Sequence, residues 1–111
     1  KEAVMHKLAD LDIESMLDQS LFTDRVPEGA RVIDCRPERF FQSWHYPGAE
    51  HIDISDLSVN FSRLPKNNTY IVYCAFGVES AAICEKMQKK GYNAYSFRGG
   101  SRGLNRLVNP R

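Results

Sequence analysis

The chain has 111 residues, of which 42% are hydrophobic and 26% charged, and its 15 basic and 14 acidic residues give a net charge of +1 at pH 7. This length predicts a single domain over residues 1–111, and the balanced charge argues against direct nucleic-acid binding by this domain alone. No apolar run approaches the roughly 20 residues of a membrane span and no signal-peptide pattern is present, so we expect a cytoplasmic protein without membrane contact.

Strands and helices alternate along the first half of the chain. Near the start, Asp12 can cap a helix in which Ile13, Met16 and Leu17 share one face. A proline and a glycine then break regular structure in the segment DRVPEGA. The elements expected next are a buried strand over RVIDC (31–35), a helix opened by Pro37, a proline–glycine turn, a brief strand over His51 to Ile54 and a loose helix in SDLSVNFSRL.

The second half of the chain holds the strongest secondary-structure signals. TYIVYC (69–74) is an unbroken β-branched and aromatic run, which is typical of a fully buried strand. An amphipathic helix follows from about Val78 to Lys90, and Gly91 ends it in the left-handed conformation. NAYSF is a further strand, RGG a turn and SRGLNRL a short last helix. Strands and helices alternating at this spacing predict an α/β fold with a parallel sheet covered on both faces.

The three cysteines, Cys35, Cys74 and Cys84, are an odd number with spacings that fit no zinc pattern, so neither a metal site nor a cofactor is expected. Without a secretory signal, a reducing cytosol is the default environment and the thiols are free for chemistry. Cys35 near its strand end and Cys84 on the apolar side of a helix are predicted to be core residues. A disulfide from either of them to Cys74 is the alternative.

Cys74 lies where the strongest strand gives way to a helix. In a parallel sheet, chemistry gathers beyond the carboxyl ends of the strands, so its side chain is expected at that rim. Gly77 lets the loop bend closely around the sulfur, and successive amides of such a loop can form an anion-binding nest. The helix N-terminus adds positive potential, and both effects favour the thiolate, which is the nucleophile. A strand-end cysteine that merely packs is the competing interpretation.

Four segments of the chain resemble motifs of the rhodanese family of sulfurtransferases, in the same order and at the same spacing from about Arg31 to Leu107. These segments are VIDCRPERF, WHYPGAEHI, YIVYCAFGVESAA and KKGYNAYSFRGG. The resemblance implies a rhodanese-like fold with a parallel five-stranded sheet flanked by helices on both faces. It also implies a cysteine, by position Cys74, that accepts sulfur as a persulfide and hands it to a second nucleophile. The loop residues that would hold the persulfide and any anionic donor are Ala75, Phe76, Gly77, Val78, Glu79 and Ser80.

The loop departs from the family pattern at two positions that often hold arginine. Here they are Ala75 and Glu79, and an acidic Glu79 would repel a doubly charged donor. Thiosulfate is therefore a doubtful physiological donor, and a protein-bound persulfide delivered by a cysteine desulfurase fits better. Phosphatase relatives of this fold need an arginine six residues after the cysteine to clamp phosphate, and Ser80 stands there instead, which disfavours that activity.

The form Cys-x-x-Gly-Val-x-Ser looks most like the rhodanese module that ends tRNA 4-thiouridine sulfurtransferases. Those enzymes also supply sulfur for thiamine thiazole synthesis, and their tRNA-binding and adenylating parts would lie on domains absent here. The chain begins at Lys1 rather than methionine, which is consistent with a terminal piece excised from a longer protein. The partners implied are a sulfur-donor protein, such as a cysteine desulfurase, and a sulfur acceptor protein or domain.

Several polar residues are candidates for a supporting role. Asp34 and Arg36 could steer substrate, although such a pair more often ties a strand end to neighbouring loops. His45 could act as a base, but beside a proline–glycine turn a structural hydrogen bond is favoured. Arg98 and Arg102 follow the last strand and are expected to reach the rim near the thiol, where they would add the positive charge that the loop lacks.

Two functions from other classes remain open on the sequence. One is a non-catalytic rhodanese-like module that mediates protein contacts. The other is a thiol redox sensor that uses Cys74 with Cys84.

Overall fold

The computed structural model describes residues 16–110, and five strands and four α-helices lie wholly within this range. The strands are β1 (Phe22–Thr23), β2 (Arg31–Asp34), β3 (Glu50–His51), β4 (Thr69–Tyr73) and β5 (Asn93–Phe97). The helices are α1 (Glu38–Ser43), α2 (Ile54–Asn60), α3 (Val78–Lys89) and α4 (Gly100–Val108), and short 3-10 turns occupy Gln19–Leu21 and Phe61–Arg63. The helix predicted after Asp12 falls mostly outside the described residues.

The five strands form one sheet in the order β1-β5-β4-β2-β3, and every neighbouring pair is parallel. The central strand β4 pairs with β2 on one side and with β5 on the other, and it is apolar on both faces because both are covered. All carboxyl ends therefore meet at one edge, where the segments after β2, β4 and β5 lie side by side. The predicted parallel five-stranded sheet is confirmed.

Successive side chains of β4 point to opposite faces of the sheet, and helices cover both faces. Tyr70 and Val72 point to one face, with α2 and α3, whereas Ile71 and Tyr73 point to the other, with α4. The first core contains Ile33, Cys35, Leu57, Phe61, Tyr70, Val72, Cys74, Ile83, Cys84, Met87, Tyr92 and Ala94. The second contains Val32, Ile71, Tyr73, Phe97 and Leu104, with Trp44 and Tyr46 packed against it.

The end of α3 follows the sequence prediction. Gly91 has φ +92°, and its amide donates to the carbonyl of Gln88 (3.0 Å). The amide of Tyr92 donates to the carbonyl of Met87 (3.0 Å), which completes a Schellman motif.

The third strand is shorter and earlier than its sequence suggested. It was expected over His51 to Ile54 but ends at His51, because Asp53 already caps the next helix by accepting a hydrogen bond from the amide of Ser55 (3.0 Å). Among the described residues, no helix is both long and apolar enough to cross a membrane.

Candidate active site

Cys74 directly follows β4, and the loop after it folds over its side chain. Only 3% of the residue is exposed, so the thiol lies beneath the loop rather than openly on the rim. The chain turns at Gly77, which has φ +98°, and α3 begins at the next residue. A side chain at Gly77 would press on the carbonyl oxygen of Phe97, with its Cβ at 3.3 Å. The glycine therefore permits both the backbone conformation and the close approach to β5.

Two main-chain amides at the start of α3 point at the sulfur of Cys74. The amide of Gly77 donates to Sγ at 3.1 Å and that of Ser80 at 3.4 Å. Amides in the first turn of a helix have no partner within the helix and carry its positive end, so they favour an anion. This is the arrangement in which a thiolate, or a persulfide in its place, gains main-chain hydrogen bonds.

Two buried hydroxyl groups, those of Ser80 and Ser96, form a hydrogen-bonded chain that begins at the sulfur. Ser80 Oγ lies 3.3 Å from Cys74 Sγ and 2.6 Å from Ser96 Oγ, and Ser96 in turn donates to the carbonyl of Gly77 (2.9 Å). Ser96 was not singled out from the sequence, where it is one polar residue in the strand NAYSF. Only the pairing of β5 beside β4 brings it to the site.

The turn after β5 supports the Cys74 loop from a third direction. The amide of Ser101 donates to the carbonyl of Cys74 (2.9 Å), and its hydroxyl lies 3.5 Å from the carbonyl of Ala75. Gly100 lies so close that a Cβ there would be 2.6 Å from the Cys74 carbonyl oxygen. The sequence marked RGG as a turn but gave no sign of this contact with a loop 25 residues earlier.

Asp34 and Arg36 form a buried ion pair at the end of β2. The Asp34 carboxylate accepts from Arg36 Nη2 at 2.7 Å and from Nε at 3.0 Å, and it is fully buried. The same guanidinium donates to the carbonyl of Trp44 (2.5 Å), so the pair ties the strand end to the segment after α1. These contacts match the structural role that the sequence favoured.

His45 and Arg98 have their contacts away from the Cys74 loop. His45 Nδ1 lies 2.9 Å from the carbonyl oxygen of Phe41, and the two rings stack with centroids 3.8 Å apart. Arg98 donates to the Asp24 carboxylate (3.0 Å) beside β1 and so has a charge partner there. The expectation that Arg98 adds positive charge next to the thiol is therefore not supported by its contacts.

Arg102 instead faces an open depression of about 430 Å³ beside the loop. The depression is lined by Arg36, Trp44, Ser101, Arg102, Asn105 and Arg106. It adjoins the Cys74 loop because Ser101, which lines it, is hydrogen-bonded to that loop. Within residues 16–110, Arg102 and Arg106 have no ion-pair partner, so the depression is positively charged.

The other loop residues differ in exposure. Phe76 is 75% exposed, and Ala75 and Glu79 are also exposed, whereas Val78 is partly covered. An apolar ring at the tip of a loop that encloses a thiol is a feature that a protein partner could contact. The exposed Glu79 carboxylate is the acidic group of this loop, as the sequence indicated.

The remaining thiols lie in the same core as Cys74 and are buried. Burial raises the pKa of both Cys35 and Cys84, so these thiols stay protonated at neutral pH. Neither thiol is in a disulfide.

Comparison with known proteins places the chain in a family. The model of the rhodanese-like domain matches residues 16–106. A tRNA sulfurtransferase of Pyrobaculum aerophilum is 37% identical over 75 residues, which are 68% of this chain and 16% of that protein. A putative sulfurtransferase of Bacillus subtilis is 26% identical over 69 residues, which are 62% of this chain and 67% of that one.

Solved structures agree with this assignment. A rhodanese-related protein of Thermoplasma volcanium superposes with a TM-score of 0.67 at 26% identity, and the match covers 72% of this chain and 80% of that one. The matched segment covers only 16% of the length of the Pyrobaculum tRNA sulfurtransferase. The matched family model, the parallel five-stranded sheet and the loop after its central strand together establish that the chain belongs to the family of rhodanese-like domains.

Proposed function

We propose that this domain is a sulfurtransferase that carries sulfane sulfur as a persulfide on Cys74. The observation that supports this most directly is the pair of amide hydrogen bonds from Gly77 and Ser80 to Sγ, at the N-terminus of α3. Main-chain dipoles fixed in this way stabilise negative charge on sulfur without any reorganisation. A buried cysteine that only packs needs no such donors.

The proposed reaction has two sulfur transfers. In the first, the Cys74 thiolate attacks the terminal sulfur of a donor persulfide, a new S–S bond forms at Cys74, and the donor leaves as a thiolate. In the second, an acceptor nucleophile attacks the terminal sulfur, the S–S bond breaks, and Cys74 is regenerated as a thiolate. The sulfur changes carrier at each step, and no external oxidant is consumed.

The rest of the loop is proposed to hold the added sulfur atom. Within residues 16–110, the amides of Ala75, Phe76, Val78 and Glu79 donate to no protein atom. They remain available for the terminal sulfur of a persulfide, which lies one bond further out than Sγ. These residues, with Gly77 and Ser80, make up the proposed binding loop.

The donor is proposed to be a protein-bound persulfide, such as that of a cysteine desulfurase. Glu79 places a negative charge on the loop, which disfavours the thiosulfate dianion. The exposed ring of Phe76 offers an apolar contact to a protein donor instead.

The charge of Glu79 can be removed or reversed without disturbing the core, because this side chain is exposed. Glu79→Arg should raise turnover with thiosulfate roughly threefold or more at low salt, and Glu79→Gln should give a smaller gain. Both gains should shrink as ionic strength rises. Equal turnover in the three proteins would show that this charge does not select the donor.

The acceptor is proposed to be reached through the positively charged depression beside the loop. Arg102 and Arg106 would attract an anionic acceptor, and Ser101 connects the depression to the backbone of Cys74. Relatives named tRNA sulfurtransferase make tRNA thiolation the first candidate pathway, and sulfur supply for thiamine thiazole synthesis is the second. Both would require domains beyond this one.

Intact-mass measurement after incubation with a cysteine desulfurase and cysteine tests the proposal. The wild-type protein should gain the mass of one sulfur atom, the gain should be lost on treatment with a thiol reductant, and Cys74→Ser should gain nothing. Cys84→Ala is the matched control and should load like wild type. If the wild-type protein takes up no sulfur from protein or small-molecule donors, the enzymatic function is refuted in favour of the non-catalytic interaction module.

The redox-sensor alternative has less support from the structure. It needs a second thiolate to close a disulfide with Cys74, but burial raises the pKa of Cys84 and of Cys35. Peroxide treatment is therefore expected to give no intramolecular disulfide.

A further inference from the structure

Two of the buried polar side chains lie beside the candidate nucleophile. In the part of the chain that the structure describes, the fully buried polar and charged residues are Asp34, Ser80 and Ser96. Asp34 is paired with Arg36, whereas the two serines bond to each other. Burying a hydroxyl group is unfavourable unless it is hydrogen-bonded, so each of the two serine hydroxyl protons needs an acceptor.

The two serines reach the sulfur from different elements. Ser80 lies in the first turn of α3, and Ser96 lies on β5, in register with Val72 of β4. Ser80 Oγ is 2.6 Å from Ser96 Oγ and 3.3 Å from Cys74 Sγ. The carbonyl oxygen of Gly77 lies 2.9 Å from Ser96 Oγ and 3.3 Å from Ser80 Oγ.

Counting protons gives two arrangements of the same heavy atoms. When Cys74 is a thiol, it can donate a hydrogen bond to Ser80 Oγ. Ser80 then donates to Ser96 Oγ, and Ser96 donates to the Gly77 carbonyl. When the sulfur is an anion, Ser96 can donate to Ser80 and Ser80 to the sulfur. The Gly77 carbonyl then keeps the hydrogen bond from the amide of Ala81 (3.2 Å), so no buried acceptor is left unpaired.

We propose that Ser96 is a positioning residue for Cys74, which acts through Ser80: the hydroxyl pair accepts a hydrogen bond from the thiol and reverses to donate one to the sulfur anion. Only two hydroxyl rotations are needed, because each serine is both a donor and an acceptor. Hydrogen bonds in such a chain strengthen one another, so Ser96 adds to a bond that Ser80 makes. This inference rests on the proposed function only in taking Cys74 as the reactive thiol.

Four other titratable groups lie around this thiol. They are Asp34 and Cys35 at the end of β2, and Glu79 and Cys84 on α3; burial and then Cys74 raise the pKa of both Cys35 and Cys84, and Asp34 and Glu79 raise the pKa of Cys35 further. All four are present in every variant described below. A difference between variants therefore belongs to the hydroxyl groups.

The test is the pH dependence of iodoacetamide alkylation at Cys74, resolved by peptide mass mapping. Ser80→Ala should move the midpoint upward by about one pH unit, since it removes a hydrogen bond to a charged sulfur. Ser96→Ala should move it upward by about 0.3 pH unit, in line with the cooperative share of one bond. In the Ser80→Ala background, Ser96→Ala should add nothing, because its effect passes through Ser80.

Val72→Ala is the matched control, since Val72 pairs with Ser96 in the sheet and is fully buried. It should lower the melting temperature and leave the alkylation midpoint unchanged. Any of three results would overturn the proposal: Val72→Ala shifts the midpoint as much as Ser96→Ala does, Ser96→Ala gives no shift, or Ser96→Ala gives its full shift in the Ser80→Ala background.

A measurement on the unmutated protein provides a second test. The ¹³Cβ resonance of Ser96 should titrate with the same midpoint as Cys74 alkylation, and a resonance that does not move would contradict the proposal. Alkylation needs no sulfur donor, so its outcome is separate from sulfur loading. A protein that shows the predicted midpoints but takes up no sulfur would refute the proposed function and leave the role of Ser96 intact.

Discussion

Replacing Gly100 by alanine should displace the Cys74 loop, although Gly100 itself lies outside that loop. Gly100 has φ +63°, and a Cβ on it would lie 2.6 Å from the carbonyl oxygen of Cys74 and 2.6 Å from the carbonyl carbon of Ala75. An ordinary contact begins at 3.4 Å, and the carbonyl oxygen of Ala75 is closer still than these two atoms, so the loop must move by at least about 0.8 Å. Both obstructing groups are backbone, which cannot turn aside as a flexible side chain would.

The expected magnitude has two parts. The left-handed backbone costs a residue with a Cβ about 1–2 kcal/mol. The steric displacement adds about 1–3 kcal/mol, as overpacking of a filled site does. Gly29→Ala is the matched control, because Gly29 has φ +84° and nothing lies within 4 Å of its Cβ position. It should show the first cost alone.

Urea unfolding of Gly100→Ala, Gly29→Ala and wild type measures both parts. The alanine at position 100 should lower the free energy of unfolding by about 1–3 kcal/mol more than the alanine at position 29. Sulfur loading should fall by up to roughly 100-fold in Gly100→Ala and stay unchanged in Gly29→Ala, since a shift near 1 Å misaligns the amides on the sulfur. Equal destabilisation by the two changes, or normal loading in Gly100→Ala, would refute the reasoning.

Two further predictions follow from the ionisable groups. Arg31 donates two hydrogen bonds of 2.8 Å to the Glu50 carboxylate and lowers the pKa of that carboxyl. At pH values above the ordinary carboxyl pKa, the ion pair should therefore stabilise the fold by up to about 1 kcal/mol. This stabilisation should be lost as the pH falls through the lowered pKa. The gap in unfolding free energy between wild type and Glu50→Gln should therefore close in strong acid, and a constant gap would contradict this. Because burial raises the pKa of Cys35 and Cys84, iodoacetamide at neutral pH should label Cys74 first in peptide mapping, and faster labelling of either other thiol would contradict this assignment.

The sequence predicts the architecture well because its signals are local. The apolar run at Thr69–Tyr73, the amphipathic Val78–Lys89 helix and the glycine that ends it each depend on residues close together in the chain. The misplaced third strand had a local signal as well, since Asp53 is a good N-cap residue immediately before the helix.

The surroundings of Cys74 could be predicted only in part. The loop glycine and the helix N-terminus follow from the segment around the cysteine, so the sequence predicts main-chain amide donors to the sulfur, although not which amides they are. Ser96 and Gly100 come from β5 and the turn after it, and their contacts depend on strand order and register rather than on any nearby pattern. The partner of Arg98 lies beside β1, which the sequence did not place next to β5.

The claim that main-chain amides hold an anionic sulfur is tested most directly by NMR of the persulfide-loaded protein. On loading, the amide protons of the loop from Ala75 to Ser80 should shift further than those of α3 beyond its first turn, and unloading by a thiol reductant should reverse the change. If none of these loop amides shifts while Cys74 carries the extra sulfur, the sulfur is held elsewhere and main-chain amides do not stabilise it.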